Sequence, residues 1–230
     1  MRMSIIIPTY EMGGYGHTML NQLFDDLTQQ TFKDFNIIVV DQSKDDLIEN
    51  VCLSYKDDLE IHYYKNSNGK NCAAENVNIG MDKANGDIIK ILFMDDYLMS
   101  KRALERIVNE FNDGAKWVMT DYIHSDIDKK QFFNLKQCFY SGDLLGYHNT
   151  GTPSIHAFLR EDKVEMDENL RYIVDCEFYY KLFLKTGMPN CINEVLHCLR
   201  HHPVSAAYDT KFTSLRDSEI EYCKNKYGIS

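Results

Sequence analysis

No stretch of this sequence stays apolar for the roughly 18 residues that a membrane-spanning helix needs. The best run, Ile88–Met94, is broken by Lys90. Ahead of Pro8 stand one basic residue and three isoleucines, too little for a secretory signal, so the cytoplasm is the expected compartment. Basic residues are outnumbered, with a net charge of -10, and they form no patch. Non-specific nucleic-acid binding lacks its positive field here. The seven cysteines are an odd set without a C-x-x-C pair. A zinc site needs clustered ligands and a secreted framework prefers even numbers, so reduced and mostly buried thiols are expected. Repeats, low-complexity tracts and linkers are also missing, which leaves one continuous domain over residues 1–230.

What is present is an ordinary globular balance, 44% hydrophobic and 26% charged, over 230 residues. Fifteen tyrosines and twelve phenylalanines supply both a core and a ring-lined cleft. Short β-branched runs at Ser4–Ile7, Asn36–Val40, Glu60–Tyr64 and Ile88–Met94 read as strands. Between them Thr18–Gln29, Asp45–Tyr55 and Ala73–Ala84 carry helical spacing. This alternation predicts an α/β fold, a mostly parallel sheet covered by helices on both faces. Ligands of such sheets bind at the carboxyl ends of the strands.

In the second half, Ser100 is placed to cap a helix over Lys101–Phe111 that stops at Asn112-Asp113-Gly114. Trp117–Thr120 reads as a strand, and the pattern loosens from Asp121 to Gly151, an ordered wall or a mobile lid. Val174–Thr186 reads as a helix ended by Gly187, Ile192–His201 as a strand and Thr213–Tyr227 as a final helix.

Three strand ends carry polar clusters: Pro8-Thr9-Tyr10, Asp41-Gln42-Ser43 and Asp95-Asp96. A parallel sheet brings such ends to one edge. Adjacent carboxylates repel in a dry site unless a cation neutralises them, and Mg²⁺ or Mn²⁺ prefers oxygen ligands shared with phosphates. Asp175 and Glu177 open a helix, where acids suit the dipole or serve as a general base. His201-His202 offers an imidazole to a metal or a phosphate. Tyr179-Tyr180 and Phe132-Phe133 are expected in the core. The glycine-rich Glu11–Gly16 segment lacks the lysine of a phosphate-binding P-loop.

As a set, from about Met3 to Ser205, these elements resemble the family 2 glycosyltransferases of GT-A fold. The resemblance implies that Pro8, Thr9 and Tyr10 hold the nucleotide and that Asp41 meets its base or ribose. It sets Asn76 and Lys70 beside the donor, with Glu75 where the family often has arginine. Asp95-Asp96, a contracted D-x-D motif, would make Asp96 the direct metal ligand, with Asp95 on the ribose or the metal's waters. Val174-Asp175 makes Asp175 the catalytic base, although the usual preceding acid is Val174. Arg200-His201-His202-Pro203 points to His202 for metal or diphosphate. About 1–99 would then bind the nucleotide-diphosphate sugar, and about 100–230 would bind the acceptor and catalyse. The implied reaction is a Mn²⁺- or Mg²⁺-dependent inverting transfer to a glycan or lipid-linked saccharide, with peripheral membrane contact allowed. A nucleotidyltransferase, or a non-catalytic binding domain of the same fold, stays open as an alternative.

Overall fold

Met3–Thr9 forms the strand (β1) around which the first half assembles, and every residue in it is buried. Isoleucines on both of its faces suit a strand covered on both sides. Phe35–Asp41 (β2) is equally buried and pairs with β1 in parallel, with Thr9 opposite Asp41. Ile61–Lys65 (β3) adds to β2, and Ile88–Ile91 (β4) to the other side of β1, both in parallel. Pro8 lies beyond the last β1–β4 pair, Ile6 with Ile91, so its missing N–H costs the sheet no bond on that side. The computed structural model describes residues 1–67, 69–70, 72–144, 151–202 and 214–229.

The crossovers are helices Gly16–Thr28 (α1), Leu47–Ser54 (α2) and Ala73–Lys83 (α3). Met3, Ile5 and Ile7 point to one core with α1, α2 and a later helix, Ala103–Asn112 (α4). Ile6 points to the opposite core with α3 and Val174–Thr186 (α5). The period of two along β1 therefore sorts the helices onto two faces.

Beyond β4 the sheet becomes mixed. Tyr97–Leu98 is β5, Trp117–Ser125 β6, Phe132–Lys136 β7, His156–Leu159 β8 and Asn190–Arg200 β9. The order is β3-β2-β1-β4-β8-β6-β9-β5, with β7 on β6; β8 runs antiparallel to β4 and β6, whereas β9 is parallel to β6. Arg216–Tyr227 (α6) follows; its expected first residue, Thr213, lies outside the described residues, as do Asn68, Pro203 and Ser205. Among the described residues no helix is long and apolar enough to cross a membrane. All seven cysteines are free; Cys191 is exposed, Cys176 half-buried and the others buried.

Three sequence expectations are corrected. The strand expected over Ile88–Met94 ends at Ile91, because the Phe93 N–H turns to Ser154 Oγ (2.9 Å) and Asp96 N–H folds back to Phe93 O (3.1 Å). Ser100 takes the Arg102 N–H (3.2 Å), but α4 begins at Ala103. Phe132 and Phe133 are 49% and 41% exposed rather than core, since β7 lies off the main path of the sheet.

Gly86 marks the close approach of the α3–β4 turn to β1. A Cβ there would stand 2.7 Å from Ser4 N and 2.8 Å from Met3 C. Gly86→Ala should therefore cost about 1–3 kcal/mol; an unchanged urea midpoint would contradict this packing.

Candidate functional site

Where β1 and β2 end together, Asp41 is wholly buried and its carboxylate is saturated. Oδ1 accepts from Thr9 Oγ1 (3.3 Å), Ser43 N–H (2.9 Å) and Ser43 Oγ (2.6 Å), while Oδ2 accepts from Tyr63 Oη (2.8 Å) and Lys65 Nζ (3.2 Å). The expected ligand-binding acid is thus engaged by protein on both oxygens. Asn76 ties the same strand ends, donating to Val40 O (3.0 Å) and Thr9 O (3.4 Å), and receives Asn66 Nδ2 (2.9 Å). Beside them opens a cleft of about 360 Å³ lined by Gln42, Ser43, Lys65, Asn66 and Gly69.

Glu75 braces two of the residues that line this cleft. Its Oε2 accepts from Gln42 Nε2 (3.1 Å), Asn66 Nδ2 (3.3 Å) and Lys70 N–H (2.7 Å). The Lys70 ammonium instead reaches Glu168 (2.7 Å) and ties the cleft rim to the segment before α5. Tyr10, 42% exposed, follows β1. Burial, then the charges of Asp95 and Glu11, push its phenol up, so the ring stands near the acidic turn.

The two adjacent acids differ sharply in setting. Asp95 is half-buried and its Oδ2 lies 3.0 Å from His202 Nε2. Asp96 is 5% exposed, with Thr152 Oγ1 at 3.4 Å. Burial, then Asp95, raise its carboxyl well above the usual range, while Ser154 and Lys90 pull it partly back. The acid expected to ligate directly is the more enclosed of the two. His202 is buried, and among the described residues its Nδ1 has no partner. His201 does not join it: that ring stacks edge-on with His124 and Phe133.

Among the described residues no group of three or more His, Cys, Asp or Glu is built to hold a metal. The Asp95–His202 pair nevertheless fits a Mn²⁺ or Mg²⁺ shared with a substrate. Donor atoms 3.0 Å apart match neighbouring ligands of one octahedral ion with bonds of about 2.1 Å, and such ions use one or two protein ligands plus phosphates.

Lys90, fully buried on β4, is a neighbour that sequence reasoning passed over. Its Nζ donates to the carbonyls of Ile91, Ser154 and His156. Burial pulls its pKa down to about 7. Because this lies below the 10.5 of an ordinary lysine, the unfolded chain holds more protons between these values. Lys90 therefore makes stability rise with pH across that window. Lys90→Met should flatten the rise in urea titrations; identical slopes would contradict it.

Asp175 sits in the first turn of α5, its Oδ1 accepting the Cys176 N–H (2.9 Å). Burial raises its carboxyl above the usual range. One turn on, Tyr179 is fully buried, stacked on His156 at 3.9 Å, and Trp117 Nε1 donates to that histidine (3.0 Å). Burial, then Asp175, and further down Asp96, push the Tyr179 phenol up. Acids about 80 residues apart thus act on one ring. Glu177 turns away into the fold, held by Lys181 (3.0 Å), Lys226 (2.9 Å) and Tyr227.

Residues 4–180 match the model of the family described as glycosyl transferase family 2. A GalNAc(5)-diNAcBac-PP-undecaprenol beta-1,3-glucosyltransferase of Campylobacter jejuni is 33% identical over 114 residues, 49% of this chain. The match spans 35% of that relative's own length. An uncharacterized glycosyltransferase of Rickettsia typhi is 27% identical across 94% of this chain and 69% of its own. The S. aureus TarS 1–349 structure in complex with UDP-GlcNAc superposes with a TM-score of 0.74 at 18% identity, over 94% of this chain and 64% of that one. The mannosyltransferase PcManGT from Pyrobaculum calidifontis, in complex with GDP-Man and Mn²⁺, gives 0.65 at 14% identity, over 94% and 61%. At these identities the likeness to solved structures is one of fold.

Proposed function

Because the chain belongs to glycosyl transferase family 2, we propose that it moves a sugar from a nucleotide-diphosphate donor to a hydroxyl of a glycan or lipid-linked saccharide, with inversion. The observation that carries this reading is the 3.0 Å contact of Asp95 with His202, across 107 residues of sequence, at the edge where β1 and β2 also end. The nucleotide lies along Pro8, Thr9 and Tyr10 and beside the Gln42–Asn66 cleft. Asp41 acts on it through the groups it holds, Ser43 and Lys65, and Asn76 keeps the two strand ends in register. Lys70 closes the rim through Glu168.

Asp95 and His202 would hold Mn²⁺ or Mg²⁺ directly, with Asp96 behind them. Bound there, such an ion would supply positive charge to offset the charge that develops on the departing diphosphate. Asp175 takes the proton of the acceptor hydroxyl while that oxygen attacks the anomeric carbon. The attack comes from the face opposite the breaking bond to the diphosphate. Burial keeps Asp175 a stronger base than a solvated aspartate. The name of the Campylobacter relative, with its undecaprenol-linked substrate, motivates a lipid-linked acceptor, and the donor-bound neighbours motivate UDP and GDP as the first nucleotides to try.

Calorimetric titration of UDP and GDP, with and without Mn²⁺, tests the donor site. Binding of one nucleotide that requires Mn²⁺ is the expected result. No binding of any nucleotide to folded protein would overturn the donor-site reading and favour a glycan-binding domain.

A further inference from the structure

The family match ends at residue 180, yet the segment that carries Asp175 is held from beyond it. Helix α6 lies against residues 166–180. Its Glu219, 7% exposed, accepts three successive backbone N–H groups: Arg171 (2.8 Å) on Oε1, Tyr172 (2.9 Å) and Ile173 (3.0 Å) on Oε2. Ile173 is the cap residue of α5 and offers no side-chain cap of its own. Glu219 therefore anchors, from another helix, the three N–H groups that lead into α5, just ahead of those that a local Ser or Asp cap would take. It sits at the positive end of the α5 dipole and accepts charge-assisted hydrogen bonds.

One turn and two turns further along α6, the grip is extended. Tyr222 Oη (2.9 Å) and Lys226 Nζ (2.6 Å) meet Asp167 Oδ2, and Lys226 also reaches Glu177 (2.9 Å). Burial opposes ionisation of Asp167, yet these partners and the Asn169 N–H hold its carboxyl well below the usual range. Cys223 packs with Leu170 and Ile173, and the Tyr227 ring meets Tyr180 edge-on at 5.1 Å. The same helix thus holds the chain both before and after Asp175.

We propose that Glu219 is a positioning residue for the catalytic base: by fixing the backbone of 171–173 it sets the direction from which the Asp175 carboxylate meets the acceptor hydroxyl. This rests on the reading of Asp175 as base. A displacement of about 1 Å at a reacting group can cost 100-fold in rate, so a bent first turn of α5 would be felt in kcat before it is felt at the donor.

The test compares Glu219→Ala and Glu219→Gln, each alone and combined with Asp175→Asn, in the full chain with donor, acceptor and Mn²⁺. Glu219→Ala should lower kcat about 10- to 100-fold, with nucleotide affinity by calorimetry kept within about two-fold. Glu219→Gln keeps one acceptor oxygen and should recover part of the loss. In the Asp175→Asn background Glu219→Ala should subtract nothing further, because the group it aims is gone. Wild-type kcat in folded Glu219→Ala, or the same fold-loss with and without Asp175, would overturn the proposal. Should Glu219→Ala fail to fold, the Gln variant and Lys226→Met carry the same comparison. Failure of the underlying base assignment reads out separately, as Asp175→Asn alone turning over at the wild-type rate.

Discussion

Asp175→Asn should reduce kcat by about 10²- to 10⁴-fold, the usual worth of a positioned general base, while leaving the dissociation constant of the donor nucleotide nearly unchanged. Asparagine keeps the shape and can still accept the Cys176 N–H that Asp175 Oδ1 now receives. What it loses is the ability to take a proton. Burial raises the Asp175 carboxyl above the value of 3.8 for an ordinary aspartate. The active form is the ionised one, so wild-type activity should fall as pH drops through that raised pKa. The acid limb of the kcat profile should therefore lie above the ordinary aspartate range and vanish in Asp175→Asn. Equal losses of nucleotide affinity and turnover would place Asp175 in donor binding instead.

Asp95→Asn should weaken Mn²⁺-dependent nucleotide binding at least about 100-fold, because even groups that support a ligand from behind are worth 10- to 100-fold in metal affinity. The amide oxygen can still accept from His202 Nε2, so the buried ring keeps this partner and the fold should survive. Asp95→Ala is the harsher variant: it leaves the imidazole with neither nitrogen partnered among the described residues, at a cost of about 1–3 kcal/mol. Asp96→Asn separates the two acids. If the enclosed Asp96 supports its neighbour, its loss should cost about 10- to 100-fold in metal-dependent binding, less than the loss of Asp95. The opposite ranking would return the direct role to Asp96.

The first half of the chain was legible because its strands announce themselves. Ile5-Ile6-Ile7 and Ile37-Ile38-Val39-Val40 admit little but buried parallel strands, and each meets a polar residue, Thr9 or Asp41, within two positions. Val174–Thr186 was read to the residue, since Gly187 adopts φ 82° where a side chain would be strained. The second half resisted. His156–Leu159 has four residues, a length at which periodicity says nothing, and it becomes a strand because β4 and β6 offer it two edges. The ring pair Phe132-Phe133 is exposed although its composition suits a core, because composition does not tell an edge strand from a central one.

Within the candidate site, the acids were legible and their division of labour was not. Asp95 and Asp96 are chemically alike in sequence; a turn closed by Phe93 O and a hydroxyl from Ser154 sends one toward His202 and the other inward. Thr152 and Ser154 lie at the edge of the stretch that gave no pattern. Glu219 had no local signal either: the group that holds the entry to a helix is sought a residue or two away, and this carboxylate arrives from 46 residues downstream of Ile173.

The central claim is transfer from a nucleotide-sugar, and it is tested most directly by release of nucleoside diphosphate. The protein is incubated with UDP- and GDP-sugars, Mn²⁺ and a lipid-linked saccharide acceptor. The account predicts release of one nucleotide, abolished by chelator and cut by Asp175→Asn. Binding of a nucleotide without any release, unchanged by acceptor, would contradict transfer and leave a binding domain of glycosyltransferase fold.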